Sequence, residues 1–464
     1  MAMVWKRWVG RFVPGRKTSA TLQTKPSAPN TRSREVRIGL DLGTANTRCV
    51  VNVLGGAPTK DSFVALALDG ESTCLPSTVA VDGDRLVIGT AAEALDNAHR
   101  SALMWLPMLA GEAVDTSCSG KYGRLQQTVF NFGDHMISAK EVLILFMERV
   151  FGRVISALDD QYGRSAWHGT IRISCPGHAS QRYRALLQEV AALGLDLACA
   201  AQAAKGRTPN MTDSLSGLTE RYQRGNGRGC DNALVVEIVP AGEAAIAALA
   251  SRYSFDEPRR VALVDLGAGA TSATMCSIDG DHVEMLGSTG TWHGMDDVDQ
   301  LLATSRAVRR RAPRSFREAK GLRPSDRPMI RRGLDRLVGV LPALMAQLTR
   351  GGRSADGWVS HRRADFDIVL LGGGSCCTLL VDEFKRREQS PMPTVVSFWD
   401  IDTLVVGSLS LLGGSDRRTR QVTDAQLPLL SIARGLADRA VSISAPSQSR
   451  TTETAAALRA AVAV

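Results

Sequence analysis

The sequence predicts an α/β fold, and three observations carry that expectation. From Arg37 onward, apolar runs of strand composition alternate with stretches of helical periodicity. Three of the apolar runs end in glycine turns: IGLDLGT (38–44), ALVDLGAG (262–269) and IVLLGGG (368–374). The chain has 464 residues and 44% hydrophobic content, which suits one large bilobed unit or more than one domain.

The elements follow in order. VRIGLDL (36–42) and TRCVVNV (47–53) read as strands, and STVAVDG with DRLVIG (77–89) as a hairpin. SAKEVLILFMERVFGRVISAL (138–158) has the 3.6-residue apolar period of a helix. TIRISCPG (170–177) reads as a strand, and SQRYRALLQEVAALGL as a helix begun near Ser180, a good N-cap residue. ALVVEIVP (233–240) is a strand and GEAAIAALASRY (242–253) a helix. RRVALVDLGAGATSATMCSIDG (259–280) is a pair of strands, after which DDVDQLL (296–302) opens an arginine-rich helical region. FDIVLLGGG (366–374) runs from strand into glycine turn, and VDEFKRR (381–387) follows as helix. The polar, glycine-rich piece between Asp196 and Asn232, with RGNGRGCDN at its end, reads as a mobile surface insertion.

Charge excludes one function class. The net charge is +9, but residues 1–34 hold eight basic residues and no acid, which leaves 48 basic against 47 acidic residues in the body. A second basic cluster from Arg306 to Arg336 reads as a solvated helical face, so no specific nucleic-acid partner is expected. The N-terminal MAMVWKRWVGRFV reads as a cationic amphipathic helix ended by Pro14. Peripheral membrane contact through residues 1–13 ranks ahead of a transit peptide or a merely sticky end. Residues 14–35 read as a Pro/Ser/Thr linker. The nine cysteines show no C-x-x-C spacing and suit a reducing cytoplasm, so a cytoplasmic chain is expected. Cys376 and Cys377 are adjacent and read as small buried residues.

The glycine turns carry the chemistry. An aspartate at a strand end beside a glycine turn can hold a magnesium ion through water. The turn's N–H groups, unobstructed at glycine, can surround phosphate oxygens. Turns at Asp41 and Asp265 would face each other and grip a phosphate chain from both sides, while Gly372 to Gly374 lets a nucleoside lie against the backbone.

These motifs, in this order, resemble the actin-like ATPase superfamily and, within it, the nucleotide-binding domain of the heat shock protein 70 (DnaK-type) chaperones. GLDLGTANT resembles the first phosphate motif, and is also close to that of bacterial rod-shape actins. LPSTVAVDGDRLVIGTAAEAL, TIRISCPGHASQRYRALLQEVAALGLD, VALVDLGAGATSATM, GSTGTWHGMDDVDQLL, FDIVLLGGGSCCTLLVDEF and DIDTLVVGSLSL resemble the later segments, the last a closing helix. The likeness runs from about Arg37 to Leu412. It implies a two-lobed, ribonuclease H-like fold over 36–414 with a nucleotide cleft between the lobes. It also implies ATP and Mg2+ as ligands and a protein partner or client. Asp41 and Asp265 would be the catalytic and metal-organising carboxylates. Gly43, Thr44, Ala45, Gly267, Ala268 and Gly269 would meet the phosphates, and Gly372, Gly373, Gly374 and Ser375 the adenosine.

Four departures from the family pattern stand out. Glu93 takes the place of a lysine that reaches the transferring phosphate, which reverses the charge needed in the transition state. Ser272 stands where another acid is usual. Pro240 occupies the place of a glutamate, with Glu243 three residues late, and Ala45 replaces a threonine. Nucleotide binding with slow or absent hydrolysis is therefore expected. About fifty residues follow Gly414, read as a C-terminal tail (415–464) rather than a substrate-binding domain. TDAQLPLLSIARGL within it is similar to the family's interdomain linker. A membrane-associated actin-like protein that polymerises with nucleotide is the alternative reading. A sugar kinase is a third, but no segment argues for its catalytic carboxylate.

Overall fold

The computed structural model describes residues 12–14, 34–54, 62–99, 102–115, 129–132, 135–164, 166–204, 209–224, 234–250, 253–255, 259–279, 282–298, 366–375, 395–397, 410–412, 420–421, 430–438 and 443–444. The fold is mixed α/β, organised on an eight-stranded and a six-stranded sheet.

Both sheets are built on one plan. In the first, β1 (Arg34–Leu42), β2 (Asn46–Leu54) and β3 (Ser62–Leu66) form an antiparallel meander. β4 (Trp167–Cys175) then lies parallel to β1 on its free side, with β5 (Leu234–Pro240) parallel beyond it. In the second, β6 (Arg259–Leu266), β7 (Thr271–Asp279) and β8 (His282–Thr291) form the meander. β9 (Phe366–Leu371) lies parallel to β6, and β10 (Val395–Ser397) parallel beyond it. Read across either sheet, the strand order is third, second, first, fourth, fifth. Short strands extend the edges: Ser410–Leu412 and Arg420–Gln421 beyond β3, and Ile443–Ser444 beyond β8. The hairpin expected at 77–89 forms from Val79–Asp82 and Arg85–Ile88.

Helices cover the first sheet on both faces. Seven are labelled: α1 (Thr90–His99), α2 (Leu106–Val114), α3 (Ala139–Tyr162), α4 (Gln181–Ala203), α5 (Met211–Arg224), α6 (Ala241–Ala250) and α7 (Ser431–Ala437). α3 begins in a capping box, in which Ser138 accepts from the Glu141 N–H and the Glu141 carboxylate accepts from the Ser138 N–H. α4 begins at Ser180, whose hydroxyl accepts from the Tyr183 N–H. Both helices pack into the larger core with Ile38, Leu40, Ile171 and Ile173 of the sheet. By length and composition α4 could cross a bilayer, but half of its apolar window is buried inside this core.

The opposite face of the first sheet turns toward the second, with α7 and α6 between them. Small residues make the layer thin. A Cβ on Gly39 would lie 1.9 Å from the Ala433 carbonyl oxygen, so α7 rests directly on the β1 backbone. A Cβ on Gly435 would lie 1.7 Å from the Ala244 carbonyl oxygen, so α7 and α6 touch main chain to main chain. On its other side α6 meets β7, where a Cβ on Gly242 would lie 2.0 Å from Thr274 Oγ1. One apolar cluster therefore joins Val50 of the first sheet, Ala245, Ile246 and Ala433 of the helices, and Val261, Leu263 and Val369 of the second sheet. The sheet also closes the end of α7. Asn52 Nδ2 donates to the Ala437 carbonyl at 3.2 Å, and Arg37 Nη1 to the Asp438 carbonyl at 2.6 Å.

Four expectations change. Phe12–Pro14 pair as a strand with Tyr253–Phe255, so the N-terminal helix does not reach Pro14. A short helix is marginal by itself, and backbone pairing wins there; residues 1–11 lie outside the described residues. The stretch read as a mobile insertion holds the end of α4 and the whole of α5, which buries Met211, Ser214 and Leu218 at helical spacing. The expected closing helix at 400–411 ends instead in the strand Ser410–Leu412, paired with β3. The expected tail contains α7, which is buried between the sheets. Among the described cysteines, Cys49, Cys74, Cys175 and Cys276 are free and buried, whereas Cys199 is disulfide-bonded. The arginine cluster from 306, Cys376–Cys377 and VDEFKRR lie outside the described residues.

Candidate functional site

Strand geometry aims two carboxylates at one place. Asp41 and Asp265 are each the penultimate residue of the first strand of a sheet, and each precedes a Leu-Gly turn. Side chains alternate across a strand. Asp41 thus shares a face with Gly39, which contacts α7, and Asp265 shares a face with Val261 and Leu263, which pack in the core between the sheets. Both carboxylates turn toward the space between the sheets. The turns match as well: a Cβ on Gly43 would lie 2.4 Å from the Asn46 carbonyl oxygen, and one on Gly267 2.8 Å from that of Ala270.

Asp41 is buried and fully engaged. Its Oδ1 accepts from Ser174 Oγ of β4 at 2.8 Å, and the same hydroxyl accepts from the Leu42 N–H at 3.0 Å. Its Oδ2 accepts from Arg48 Nη1 at 3.1 Å. Arg48 is the cross-strand partner of Asp41 in the β1–β2 hairpin, where opposite charges attract across a short gap. Arg48 Nε donates to Cys74 Sγ at 3.3 Å. Ser77 secures the turn between: its hydroxyl donates to the Gly43 carbonyl at 2.7 Å, and its N–H to the Ala45 carbonyl at 2.9 Å. Gly43, Thr44 and Ala45 stay partly exposed.

The second and third loops lie against each other. The Met295 and Asp296 N–H groups donate to the carbonyls of Gly267 and Ala268 at 3.0 and 2.9 Å, so the helix starting at 295 backs the second turn. Gly267 and Ala268 are partly exposed and Gly269 is buried. β9 ends in a single helical turn, Gly372–Ser375, entered by Gly372 at φ 77°. A Cβ at Gly372 would lie 2.3 Å from Asp265 Oδ1, and one at Gly374 2.8 Å from Leu266 Cβ. Glycine is needed at both for the turn to seat on the second loop. Gly373 is exposed and a Cβ there would meet nothing within 4 Å, so this turn presents bare backbone outward. Burial, with the nearby Asp41 charge, pushes the Asp265 carboxyl up to about 7, offset by Arg48. Thus Asp41, Asp265 and the Gly372 turn form one constellation.

Of the remaining sequence-flagged residues, only Ser272 is placed directly against it. Ser272 is buried on β7 directly across from Asp265. Glu93 sits in the first turn of α1. Pro240 ends β5, and Glu243 lies in the first turn of α6, where burial raises its carboxyl and Arg184 opposes the rise. Arg48, Ser174 and Ser77 are neighbours of Asp41 and its turn that sequence reading missed.

A second contact ties the loop after β4 to the second sheet. A Cβ at Gly177 would lie 2.4 Å from Ser288 Oγ, and one at Gly290 would lie 2.0 Å from His178 Nδ1. The His178 ring meets Trp292 edge-on at 4.5 Å, and Tyr183 of α4 lies 5.4 Å from the same indole. Among the described residues, neither His178 nitrogen has a hydrogen-bond partner. Burial pushes His178 down to about 4; Arg184 adds to this and Asp115 opposes it.

A divalent cation does not suit the donors at Asp41. Both carboxylate oxygens already accept hydrogen bonds, and a guanidinium neutralises the group. A divalent cation there would have to compete with this guanidinium for the same carboxylate. No protein-family model and no curated protein matches this chain.

Proposed function

We propose that this chain binds ATP between its two sheets as a nucleotide-switched, chaperone-type domain of the actin-like ATPase architecture, with weak hydrolysis. One observation carries the reading. The same five-strand order occurs twice, and each copy aims a carboxylate and a Gly turn from its first strand at the same gap. The Gly372 turn, with Gly373 bare, supplies a surface where a flat nucleoside can lie against backbone. Turn N–H groups from two sides give the donors that a phosphate chain needs.

Slow hydrolysis follows from what stands near the gap. Ser272 offers a hydroxyl where a second acid would help position water, and Glu243 lies among Arg184 and Cys175 instead of beside Asp41. A general base must come within hydrogen-bond reach of the water it activates.

Calorimetry of ATP into the full chain tests the binding, and single-turnover hydrolysis on the same sample tests the rest. The expected result is saturable binding with little product over many minutes. Absence of binding refutes the reading; turnover on the scale of seconds refutes the slow-hydrolysis part. Nucleotide-dependent light scattering, expected to stay flat, separates this reading from a polymerising actin-like protein.

A further inference from the structure

We propose that Arg48 is the resident cation of this cleft, and that its guanidinium takes the phosphates of a nucleoside triphosphate without a divalent metal. The proposal rests on the nucleotide-binding reading above and goes beyond it. Three observations place the cation. Arg48 stands opposite Asp41 in the hairpin and its side chain is only 11% exposed. It is held by two named bonds, Nη1 to Asp41 and Nε to Cys74. Its charge also acts on Asp265 of the other sheet, so the guanidinium lies toward the second phosphate-type turn as well as beside the first.

The chemistry of the side chain completes the argument. A guanidinium has five N–H donors in a planar fork. The N–H of Nε and one of Nη1 are spent on the anchoring bonds, which leaves the second N–H of Nη1 beside the two of Nη2, and Nη2 makes no hydrogen bond among the described residues. That leaves a fixed donor edge of the kind that grips phosphate in a bidentate manner. A pinned arginine meets an incoming anion with little further ordering to do. Asp41 is thereby a positioning residue, holding Arg48 rather than a hydrated metal. Among the described residues no group of three or more His, Cys, Asp or Glu side chains is placed to hold a metal ion.

The test is ATP titration into the full-length protein by calorimetry, once in excess EDTA and once in excess magnesium. The wild type is expected to bind in EDTA with an affinity within about threefold of that in magnesium. Arg48→Met is expected to weaken binding in EDTA by at least about tenfold, the loss typical of a charge-assisted bond. Should Arg48→Met fail to fold, Arg48→Lys serves, because it keeps one positive charge opposite Asp41 but lacks the forked edge. It is expected to weaken binding in EDTA by about threefold or more. Wild-type binding that requires magnesium overturns the proposal and leaves the nucleotide site standing. Wild-type affinity retained by a folded variant overturns it too. Failure of the wild type to bind in either condition overturns the nucleotide-binding reading itself.

Discussion

His178 should make stability fall on the acid side, and His178→Phe should remove that fall. The imidazole is buried against Trp292 and Gly290, its nitrogens have no hydrogen-bond partner among the described residues, and its titration is pushed from 6.5 to about 4. The charged groups acting on it are Arg184 of α4 and Asp115 after α2. The folded state therefore favours the neutral ring. Stability from this group is fully present above the unfolded value of 6.5 and is lost as pH falls toward 4. At pH 5 the unfolded chain binds the proton and the folded one largely does not, a loss of about 2 kcal/mol relative to pH 7.5. Phenylalanine keeps a flat ring on Trp292 and cannot titrate. At pH 7.5 two effects nearly cancel: unpaired nitrogens are removed, a gain of about 1–3 kcal/mol, and a larger ring is forced in, a cost of about 1–3 kcal/mol. The informative quantity is therefore the difference between the two pH values. Urea unfolding at pH 7.5 and pH 5 on both proteins measures it. An equal pH-dependent loss in the variant would refute the burial argument, because other titrating groups would then account for the whole effect.

Two further substitutions test the helix layer and the second carboxylate. Gly435→Ala puts a methyl 1.7 Å from the Ala244 carbonyl oxygen, backbone that cannot rotate away, so denaturant unfolding should show a loss at or above the usual overpacking range of about 1–3 kcal/mol. Gly152→Ala in α3 meets nothing within 4 Å and should instead stabilise by about 0.5–1 kcal/mol, which makes it the control. Asp265→Asn removes a carboxyl raised from 3.8 to about 7; that stability is present below 3.8 and lost as pH rises through 7. The variant should accordingly gain up to about 4 kcal/mol at pH 8, and a melting temperature at pH 8 no higher than wild type would contradict this.

Legibility in the sequence tracked the range of the interaction responsible. The glycine turns and their strands are local patterns, and IGLDLGT, ALVDLGAG and FDIVLLGGG appear where alternation and turn chemistry place them. Arg48 was also within reach: a hairpin through Gly43 to Asn46 pairs Asp41 with Arg48 by counting, and the one charged residue in this strand is the signal. Ser174 carries no such mark, because its role depends on β4 arriving beside β1 from more than a hundred residues away. α7 was hidden for another reason. Seven residues, four of them small, make no periodic pattern of their own, and the helix exists because Gly39 and Gly435 let it press against main chain on two sides. In α5, Met211 and Leu218 are helically spaced but sit among polar residues, so composition masked the period.

The duplicated plan leaves the two halves chemically unequal, and the inequality has a measurable sign. Opposite Asp41 stands Arg48; opposite Asp265 stands Ser272. Asp41 has a guanidinium across from it, whereas Asp265 faces a hydroxyl, and burial with the Asp41 charge raises the Asp265 carboxyl to about 7. An incoming polyphosphate adds negative charge beside a carboxyl already raised by burial and by Asp41, which drives it further toward its neutral form. Binding must then take up a proton around pH 7 to 8. A divalent cation entering with the nucleotide would act in the opposite direction, favouring the carboxylate and releasing a proton. Calorimetric titration of ATP in buffers of different ionisation enthalpy reads that sign directly. Net uptake that disappears in Asp265→Asn fits a cleft whose cation is Arg48. Net release fits a metal between the carboxylates, and would mean that Arg48 leaves Asp41 when the ligand arrives.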